Sequence, residues 1–396
     1  MQKNNFSFSD TKAAFQHKND FELKMSKFIF SIFKFSFLVN YGPGLTNLAL
    51  KIKLPIKGLI KRTVFSQFCG GETIDECDQA VSKLWKSKVG SILDYSVEGN
   101  ETEENFDANL EEIKHTILKA KGKLQYSFCV FKPTGIARFA LLEMLDSGKK
   151  LSQEELTEYY RVKARFEEIC KTASQNDVKI FIDAEESWIQ DTIDTLANEM
   201  MAKFNEKKAI VFNTVQLYRK DRLEFVKKSI GKARDKGYFI GFKLVRGAYM
   251  EKESERAKQL GYPNPIQNDK QSSDNDYNNA LSYCFENRDI VSLCAGTHNE
   301  TSSMILVRLM EEAGLPNNDS NCWFAQLFGM SDNISFVLAA QGYNVTKYLP
   351  YGPIKSVMPY LGRRAKENSS MSGQMGRELA LIIQELERRR LEKMSA

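Results

Sequence analysis

The chain has 396 residues, and its hydrophobic fraction of 42% is large enough to build a sizeable core. Basic residues outnumber acidic ones by 56 to 51, and this net charge of +5 is spread along the chain, which argues against a nucleic-acid partner. Three histidines exclude a His-rich metal centre, and seven widely spaced cysteines without a CxxC pair favour a reducing compartment over a disulfide framework.

Residues 1–87 predict an N-terminal helical extension because they contain no clean strand alternation. Helices are expected at 24–39, 45–68 and 73–88, with a turn at Gly42-Pro43-Gly44. The apolar run 28–38 is too short to span a bilayer, and Lys34 interrupts it. A buried or amphipathic helix is its ordinary interpretation, and a contact with a membrane surface is the alternative.

From Val89 onward, short β-rich runs alternate with charged amphipathic segments, which predicts eight strand–helix repeats. Eight such repeats favour an α/β fold of the closed (βα)8 TIM type, formed by residues 88–396. A doubly wound open sheet is the alternative, but the chain lacks the Gly-rich dinucleotide turn that usually accompanies it. The predicted strands are 90–95, 125–132, 178–184, 209–215, 238–245, 289–295, 321–327 and 344–350, and the predicted helices include 152–174, 186–204, 223–235, 302–313 and 355–391.

Polar side chains lie at or just after the end of nearly every predicted strand. Because the active face of a barrel lies at the carboxyl ends of its strands, we expect them to meet at one mouth. Solvation of strand ends would account for each residue alone, but less well for the whole series. The residues are Lys132, Asp183, Glu185, Glu186, Gln216, Arg246, Thr297, His298, Asn299, Gln326 and Tyr348.

Two pairs of charged residues suggest chemistry at this mouth. Arg363 and Arg364 offer two planar forks that can hold a carboxylate, and Tyr360 shares their helix face. Adjacent arginines on a charged helix are usually solvated, so the pair alone is weak evidence. Lys132 and Asp183 follow neighbouring strands and are expected to form an ion pair, as a functional contact or as a structural salt bridge. Alternatively, Lys132 could be a Schiff-base nucleophile.

Two further segments suggest ligand contacts. In KLVRGAY, Arg246 can pair with a phosphate, and the small residues Gly247 and Ala248 let a flat ligand approach the backbone. In GTHNE, His298 lies between two other hydrogen-bonding residues, although a lone histidine is more often structural.

Several segments resemble blocks of the proline dehydrogenase family in order and register. The most specific is YLPYGPIKSVMPYLGRRAKENSS, and ILDYSVEG resembles the first strand of the mitochondrial-type branch. The resemblance covers about residues 91–370. It implies a distorted (βα)8 barrel that binds FAD without a Rossmann domain, oxidises L-proline to Δ1-pyrroline-5-carboxylate and passes electrons to a membrane quinone. The other matching blocks are KLVRGAYMEKE, FIDAEE, NTVQLYRKD, GTHNE and AQLFGMSDN.

The resemblance also implies roles for individual residues. Asp183 and Lys243 match catalytic positions beside the flavin, Lys243 standing where the bacterial branch often has arginine, and Glu98 could close the site as a gate. Met250 stands where some relatives carry tryptophan. The matched substrate-binding residues are Lys132, Leu327, Tyr348, Tyr360, Arg363 and Arg364. The matched flavin contacts are Ala184, Gln216, Val245, Arg246, Gly247, Ala248, Thr297, His298, Asn299 and Glu367.

The resulting prediction is a proline dehydrogenase, with no metal ion and no nucleic-acid partner. The bulk of Tyr348 favours proline, and a hydroxyproline dehydrogenase is the alternative. A Schiff-base lyase that uses Lys132 and a non-catalytic scaffold are two further readings. The product is expected to pass to a separate pyrroline-5-carboxylate dehydrogenase. Peripheral contact with the inner face of a membrane, through 28–38 or the C-terminal helix 378–394, is also expected.

Overall fold

The computed structural model describes residues 6–32, 57–96, 101–370 and 372–395, with side chains described up to 364 and again from 376. Backbone contacts divide the chain into two compact units. The first unit comprises 1–98 together with 326–396, and the second unit comprises 99–325. The predicted boundary between an N-terminal extension and a barrel domain at residues 87 and 88 stays a prediction.

Eight parallel strands form a closed barrel in chain order. Each predicted strand is present with its ends within two residues of the expected positions, so the (βα)8 prediction is confirmed and the open-sheet alternative is wrong. The strands are β1 (Val89–Tyr95), β2 (Tyr126–Phe131), β3 (Ile180–Ile182), β4 (Val211–Gln216), β5 (Ile240–Val245), β6 (Val291–Gly296), β7 (Cys322–Leu327) and β8 (Val345–Tyr351).

The N-terminal part is helical, as expected, but its helix ends differ from the predicted ones. One helix begins at Asp20 rather than at residue 24, because Asn19 and Glu22 each accept a hydrogen bond from the other's backbone at 2.9 Å and cap its first turn. The predicted turn at 42–44 lies outside the described residues. The helices are α1 (Thr11–Phe15), α2 (Asp20–Ile32), α3 (Lys57–Ile60), α4 (Ser66–Phe68) and α5 (Cys77–Lys86), and a π-helical segment, Lys61–Phe65, joins α3 to α4.

Helices alternate with the strands through the second unit. The four that were predicted there are present with ends within two residues of the expected positions. The helices are α6 (Glu103–Ala120), α7 (Phe139–Asp146), α8 (Gln153–Gln175), α9 (Ser187–Phe204), α10 (Arg222–Lys236), α11 (Met250–Leu260), α12 (Lys270–Glu286) and α13 (Glu300–Glu312).

The C-terminal part of the first unit contains α14 (Asp332–Ala340), α15 (Ile354–Ser370) and α16 (Ser372–Ser395). The predicted helical stretch 355–391 is occupied by α15 and α16, and residue 371 between them lies outside the described residues. Contacts between α2 and α16 pack the N-terminal part against the C-terminal helix within this unit.

The described part of the apolar run 28–38 is amphipathic. Phe28 is 55% exposed, whereas Ile29 and Phe30 are buried. Among the described residues, no helix combines the length and the apolar character needed to cross a membrane. All seven cysteines are buried free thiols.

Aromatic rings fill the barrel interior in the second unit. Phe128 of β2 stacks on Phe181 of β3 with 4.2 Å between ring centroids, and both contact Phe212 of β4 edge to face. Phe128 also lies 5.1 Å from the ring of Trp323 on β7, a strand that is not its neighbour in the sheet. Because only side chains that point inward can meet across non-adjacent strands, these rings form part of the barrel core.

Gly241 on β5 makes room for this aromatic layer. A β-carbon at Gly241 would lie 2.5 Å from Cγ of Phe212 and 2.7 Å from the backbone oxygen of Val211. We expect Gly241→Ala to lower the free energy of unfolding by about 1–3 kcal/mol, because the ring and the backbone must both shift. Urea unfolding monitored by circular dichroism checks this.

Gly231→Ala is the matched control for Gly241→Ala. Gly231 lies in α10, and no atom lies within 4 Å of the position of an added β-carbon. This variant should be about 0.5–1 kcal/mol more stable than the parent, because alanine is the better helix former. Equal stability of the two variants would contradict the steric argument.

A buried ionic cluster holds the first unit together. Asp332, the first residue of α14, accepts Lys347 Nζ from β8 at 2.9 Å and Lys18 Nζ at 2.9 Å, and it lies 3.4 Å from Nε2 of His17. Burial opposes ionisation of Asp332, but the two ammonium charges and His17 outweigh it and hold the pKa of Asp332 well below its usual range. The cluster joins the N-terminal segment to α14 and β8.

Candidate active site

A buried ion pair crosses the interior of the second unit. Asp183, which follows β3, contacts Nζ of Lys243 on β5, although β4 lies between those two strands. Thr214 Oγ1 donates to Asp183 Oδ1 at 3.4 Å, and the Lys243 ammonium lies 4.8 Å from the ring centroid of Phe181. Both charged side chains are largely withdrawn from solvent. The pair therefore offers a fixed carboxylate and a fixed ammonium at the carboxyl end of the strands.

Asp183 therefore has a partner that the sequence interpretation did not name for it. Lys243 was expected beside the flavin, and Asp183 was expected to pair with Lys132. The structure gives the Asp183–Lys243 contact, and the Asp183–Lys132 contact stays a prediction. Strand alternation contains the missing signal, because Lys243 and Thr214 lie at inward positions of β5 and β4.

Lys132 follows β2 at the start of a short, well-fixed turn. Residues Pro133–Gly135 form a 3-10 turn, and the backbone oxygen of Lys132 accepts the Gly135 N–H at 2.9 Å. Glu185 accepts both the backbone N–H of Thr134 at 2.8 Å and its hydroxyl at 2.6 Å. The half-buried Lys132 is thus carried by a turn whose backbone is held by a carboxylate.

Arg246 lies in a basic cluster at the end of β5. Its Nε donates to Asp274 at 2.6 Å, and its two terminal nitrogens donate to Thr297 Oγ1 at 2.7 Å and to Ser302 Oγ at 3.0 Å. Lys270 also donates to Asp274, at 2.6 Å, so the cluster contains two cations and one carboxylate. Burial opposes ionisation of Asp274, but Lys270 and Arg246 outweigh it and lower the pKa of Asp274. The remaining positive charge suits a phosphate.

The structure explains why a glycine follows Arg246, and the sequence did not reveal this reason. Gly247 has a φ of +140°, and a β-carbon there would lie 2.4 Å from the Tyr218 ring. The sequence interpretation assigned this glycine to the close approach of a ligand. In the structure, the packing of Tyr218 alone excludes any side chain at Gly247, while Ala248 is exposed.

Gln216 is the last residue of β4 and is buried. Its Oε1 atom accepts no hydrogen bond within the described part of the chain. A buried amide oxygen without a donor is costly, so a ligand that brings an N–H group would satisfy it. The residue therefore fits the contact with a flavin ring that the resemblance implies.

Two residues of the segment Thr297–Asn299 make hydrogen bonds to nearby parts of the chain. Thr297 Oγ1 accepts the Asn299 backbone N–H at 3.0 Å besides its bond from Arg246. Asn299 Oδ1 accepts the Ser302 N–H at 3.1 Å and caps α13. His298 is half-buried between them. Thr297 therefore links Arg246 to the start of α13, and the flavin contacts of this segment stay predictions.

In the first unit, the aromatic and arginine residues lie around β8 and α15. Arg364 is 6% exposed, and its guanidinium carbon lies 5.1 Å from the ring centroid of Tyr360, which confirms that these two residues share a helix face. Arg363 is half-buried. The contact places the buried Arg364 guanidinium beside an aromatic ring, a setting that suits the binding of a carboxylate.

Tyr348 lies within β8 and not at its end, since β8 continues to Tyr351. The backbone oxygen of Tyr348 accepts the Phe328 N–H at 2.9 Å, directly after Leu327 at the end of β7. Lys347 Nζ donates to the backbone oxygen of Leu327 at 3.4 Å. The backbone around the two predicted pocket residues Leu327 and Tyr348 is therefore fixed by hydrogen bonds.

Four predicted site residues remain to be placed. Val245 is the half-buried last residue of β5. Ala184 is half-buried next to Asp183. Glu367 lies on α15, outside the described side chains, and the predicted gate Glu98 lies outside the described residues. Among the described residues, no group of three or more histidine, cysteine, aspartate and glutamate side chains is arranged to hold a metal ion.

Comparison with known proteins gives a consistent result. The family model described as proline dehydrogenase matches residues 77–377. Proline dehydrogenase 1, mitochondrial, from Dictyostelium discoideum is 30% identical, and the match covers 98% of this chain and 76% of that protein. The carbapenem antibiotics biosynthesis protein CarD of Pectobacterium carotovorum subsp. carotovorum is 32% identical, with 84% of this chain and 86% of that protein covered.

The solved structures show the same fold. The crystal structure of proline utilization A (PutA) from Bdellovibrio bacteriovorus, inactivated by N-propargylglycine, superposes with a TM-score of 0.71 at 21% sequence identity. The match covers 93% of this chain but only 39% of that one, so this chain spans well under half the length of that protein.

Proposed function

Since the chain belongs to the proline dehydrogenase family, we propose that it is an FAD-dependent enzyme that oxidises L-proline to Δ1-pyrroline-5-carboxylate. The observation that carries the proposal is the buried Arg364 stacked against Tyr360 after the last strand. A buried guanidinium beside an aromatic ring is an expected receptor for a small carboxylate. Both residues lie within the matched range 77–377.

FAD is the proposed prosthetic group, and the second unit fits it. Gln216 brings a buried oxygen that has no donor among the described residues, and the Arg246 cluster brings a residual positive charge for phosphate. When bound, FAD would supply the hydride acceptor for the oxidation of proline at Cδ. The further residues that would hold it are Ala184, Val245, Gly247, Ala248, Thr297, His298, Asn299 and Glu367.

The proposed roles of the other residues follow from charge and shape. Arg363 and Arg364 bind the proline carboxylate and orient the ring. Tyr348, Tyr360 and Leu327 pack against the ring and exclude water. The ring nitrogen must be neutral for hydride loss, because its lone pair drives formation of the imine. Lys132, Asp183 and Lys243 supply fixed charges around this reaction.

The proposal extends to the surroundings of the enzyme. The electrons pass to a quinone, and the product passes to a separate pyrroline-5-carboxylate dehydrogenase. The protein works in a matrix-like or cytoplasmic reducing compartment, in peripheral contact with the inner face of a membrane. The mitochondrial names of several relatives support this location, and the half-exposed Phe28 on α2 supports a surface contact.

One anaerobic spectrum tests the function. We expect the purified protein to absorb near ~450 nm and to bleach when L-proline is added without oxygen, because the flavin becomes reduced. D-proline is the matched control and should bleach it far more slowly. Trans-4-hydroxyproline should also react more slowly, because the bulk of Tyr348 fills the space that a 4-hydroxyl needs.

Other outcomes would replace the proposal. Faster bleaching by hydroxyproline would favour a hydroxyproline dehydrogenase. A Schiff-base lyase would be favoured if the protein were colourless and borohydride linked a carbonyl substrate covalently to Lys132. A protein that binds neither flavin nor carbonyl compound would favour a scaffold.

A further inference from the structure

Glu185 is a buried acid that the proposed reaction does not use. It lies two residues after Asp183, and its side chain is 4% exposed. No ion pair reaches its carboxylate within the described part of the chain; instead, both oxygens accept hydrogen bonds from Thr134, at 2.8 Å from the backbone N–H and at 2.6 Å from the hydroxyl. Burying a carboxylate costs more free energy than two hydrogen bonds from one threonine return, which points to a role beyond packing.

The contact fixes the turn that carries Lys132. Thr134 is the central residue of the 3-10 turn Pro133–Gly135, which begins directly after Lys132. Asn109 holds the other end, because its Nδ2 donates to the Gly135 oxygen at 2.7 Å. The turn is thus held through its backbone at both ends.

Glu185 itself is anchored to the opposite strand end. Its backbone N–H donates to Gln190 Oε1 at 2.8 Å, and the N–H of Asp183 donates to the backbone oxygen of Phe131 at 3.0 Å. The backbone after β3 and the turn after β2 are therefore coupled through one side chain.

We propose that Glu185 is a positioning residue: its ionised carboxylate clamps Thr134 and thereby sets the position of the Lys132 amine and the affinity of the site for substrate. The part of this inference that concerns substrate rests on the proposed function. The part that concerns Lys132 rests on the contacts alone.

The charge of Glu185 changes near neutral pH. Burial raises the pKa of Glu185 to about 7, and the bonds from Thr134 act in the opposite direction. The charged groups that face it are Glu186, which raises the pKa, and Lys132, which lowers it. Glu186 is itself paired with Lys252 at 2.7 Å. As pH falls through about 7, the carboxyl group gains a proton and loses one acceptor position, so the clamp on Thr134 weakens.

The first test measures the exposure of Lys132 without any substrate. Each lysine is acetylated briefly with acetic anhydride between about pH 6 and pH 8.5, and peptide mass spectrometry gives its rate. We expect the rate at Lys132 to show a step near neutral pH that Glu185→Gln abolishes. At the upper end of the range, this variant should change the rate about fivefold, as expected for one lost hydrogen bond.

The matched control for this test is Glu186→Gln, which removes a charge at the adjacent buried position. It should leave the step at Lys132 in place. Thr134→Val keeps the shape of the residue and removes only the hydroxyl. Thr134→Val should reduce the pH step in the acetylation rate of Lys132. If Glu185→Gln does not fold, the result for Thr134→Val alone tests the positioning role.

The second test follows proline turnover. The KM for proline should rise as pH falls below about 7 in the parent protein, and Glu185→Gln should have a high KM that is nearly independent of pH, with kcat changed less than about twofold. A purely structural role would lower kcat or the yield of folded protein without this split. If Glu185→Gln and Thr134→Val both keep the parent's Lys132 labelling profile, the positioning role is wrong. If labelling changes but the parent protein does not oxidise proline, the proposed function fails and the clamp on Lys132 stands.

Discussion

Arg364→Met should raise the KM for proline roughly 10²- to 10³-fold while kcat changes only a few-fold. Arg364 is buried, and its guanidinium carbon lies 5.1 Å from the ring centroid of Tyr360. The carboxylate that it binds does not change charge during hydride loss. The interaction is therefore equally strong in the bound substrate and in the transition state, and its loss appears in KM. Methionine fills a similar volume, so packing is largely preserved.

Steady-state kinetics over a wide range of proline concentration measure this effect. Arg364→Lys should fall between the parent and Arg364→Met, because lysine keeps the charge but lacks the planar fork. Arg308→Met is the matched control, since Arg308 lies exposed on α13. A cyclic carboxylate without the ring nitrogen should inhibit the parent enzyme. In Arg364→Met, its inhibition constant should rise by about the same factor as the KM for proline. An unchanged KM in Arg364→Met would show that another group binds the carboxylate.

The barrel was predictable because each strand is marked by a pattern of neighbouring residues in the sequence. Val211–Gln216, for example, is a short β-rich run between charged amphipathic segments, and such a pattern depends on no distant residue. The helix at Asp20 began earlier than expected because its cap, Asn19, lies outside the apolar repeat that marks the helix.

At the candidate site, the sequence indicated individual residues but not the contacts that fix them. The sequence indicated Asp183, Lys243 and Arg246 as polar residues in or after strands, but the partners that fix them come from distant segments. Asp274 and Ser302 bind Arg246 from two different helices, and no local pattern marks either of them. The reason for Gly247 was equally hidden, because Tyr218 lies after another strand. Contacts of this kind depend on tertiary packing, which one sequence does not reveal.

The ionic cluster around Asp332 is the most extensive feature that the sequence did not indicate. We expect its loss to have a large effect on stability. Asp332→Asn should lower the free energy of unfolding by about 3–5 kcal/mol, because it removes the carboxylate that pairs directly with the buried Lys347 ammonium and leaves the more distant Glu378 as the other carboxyl group acting on it. Lys347 is 0% exposed, and its other acceptors are the neutral backbone oxygens of Met330 at 2.5 Å and Leu327 at 3.4 Å. Urea unfolding at neutral pH measures the change, with the exposed Asp235→Asn as control.

The pH dependence separates lost charge pairing from lost packing. The pKa of Asp332 is lowered in the folded state, so its contribution is present above the unfolded value of about 4 and is lost as pH falls through the folded value. The gap between parent and Asp332→Asn should therefore narrow in acid. Burial also lowers the pKa of Lys347, an effect that Asp332 opposes. Without Asp332 the pKa of Lys347 should fall further, so the gap should narrow again in alkali as Lys347 loses its proton.

A double-mutant cycle completes the argument. Adding Lys347→Met to Asp332→Asn removes the stranded charge and fills its space with an apolar side chain, so the double variant should regain much of the lost stability. If the double variant is as unstable as the sum of the two single variants, the effect of Asp332 comes from α14 and not from the ion pair. Recovery would instead show that charge couples Asp332 of α14 to Lys347 of β8. Because Tyr348 follows Lys347 directly on β8, the same substitution should also disturb the strand that carries the predicted substrate pocket.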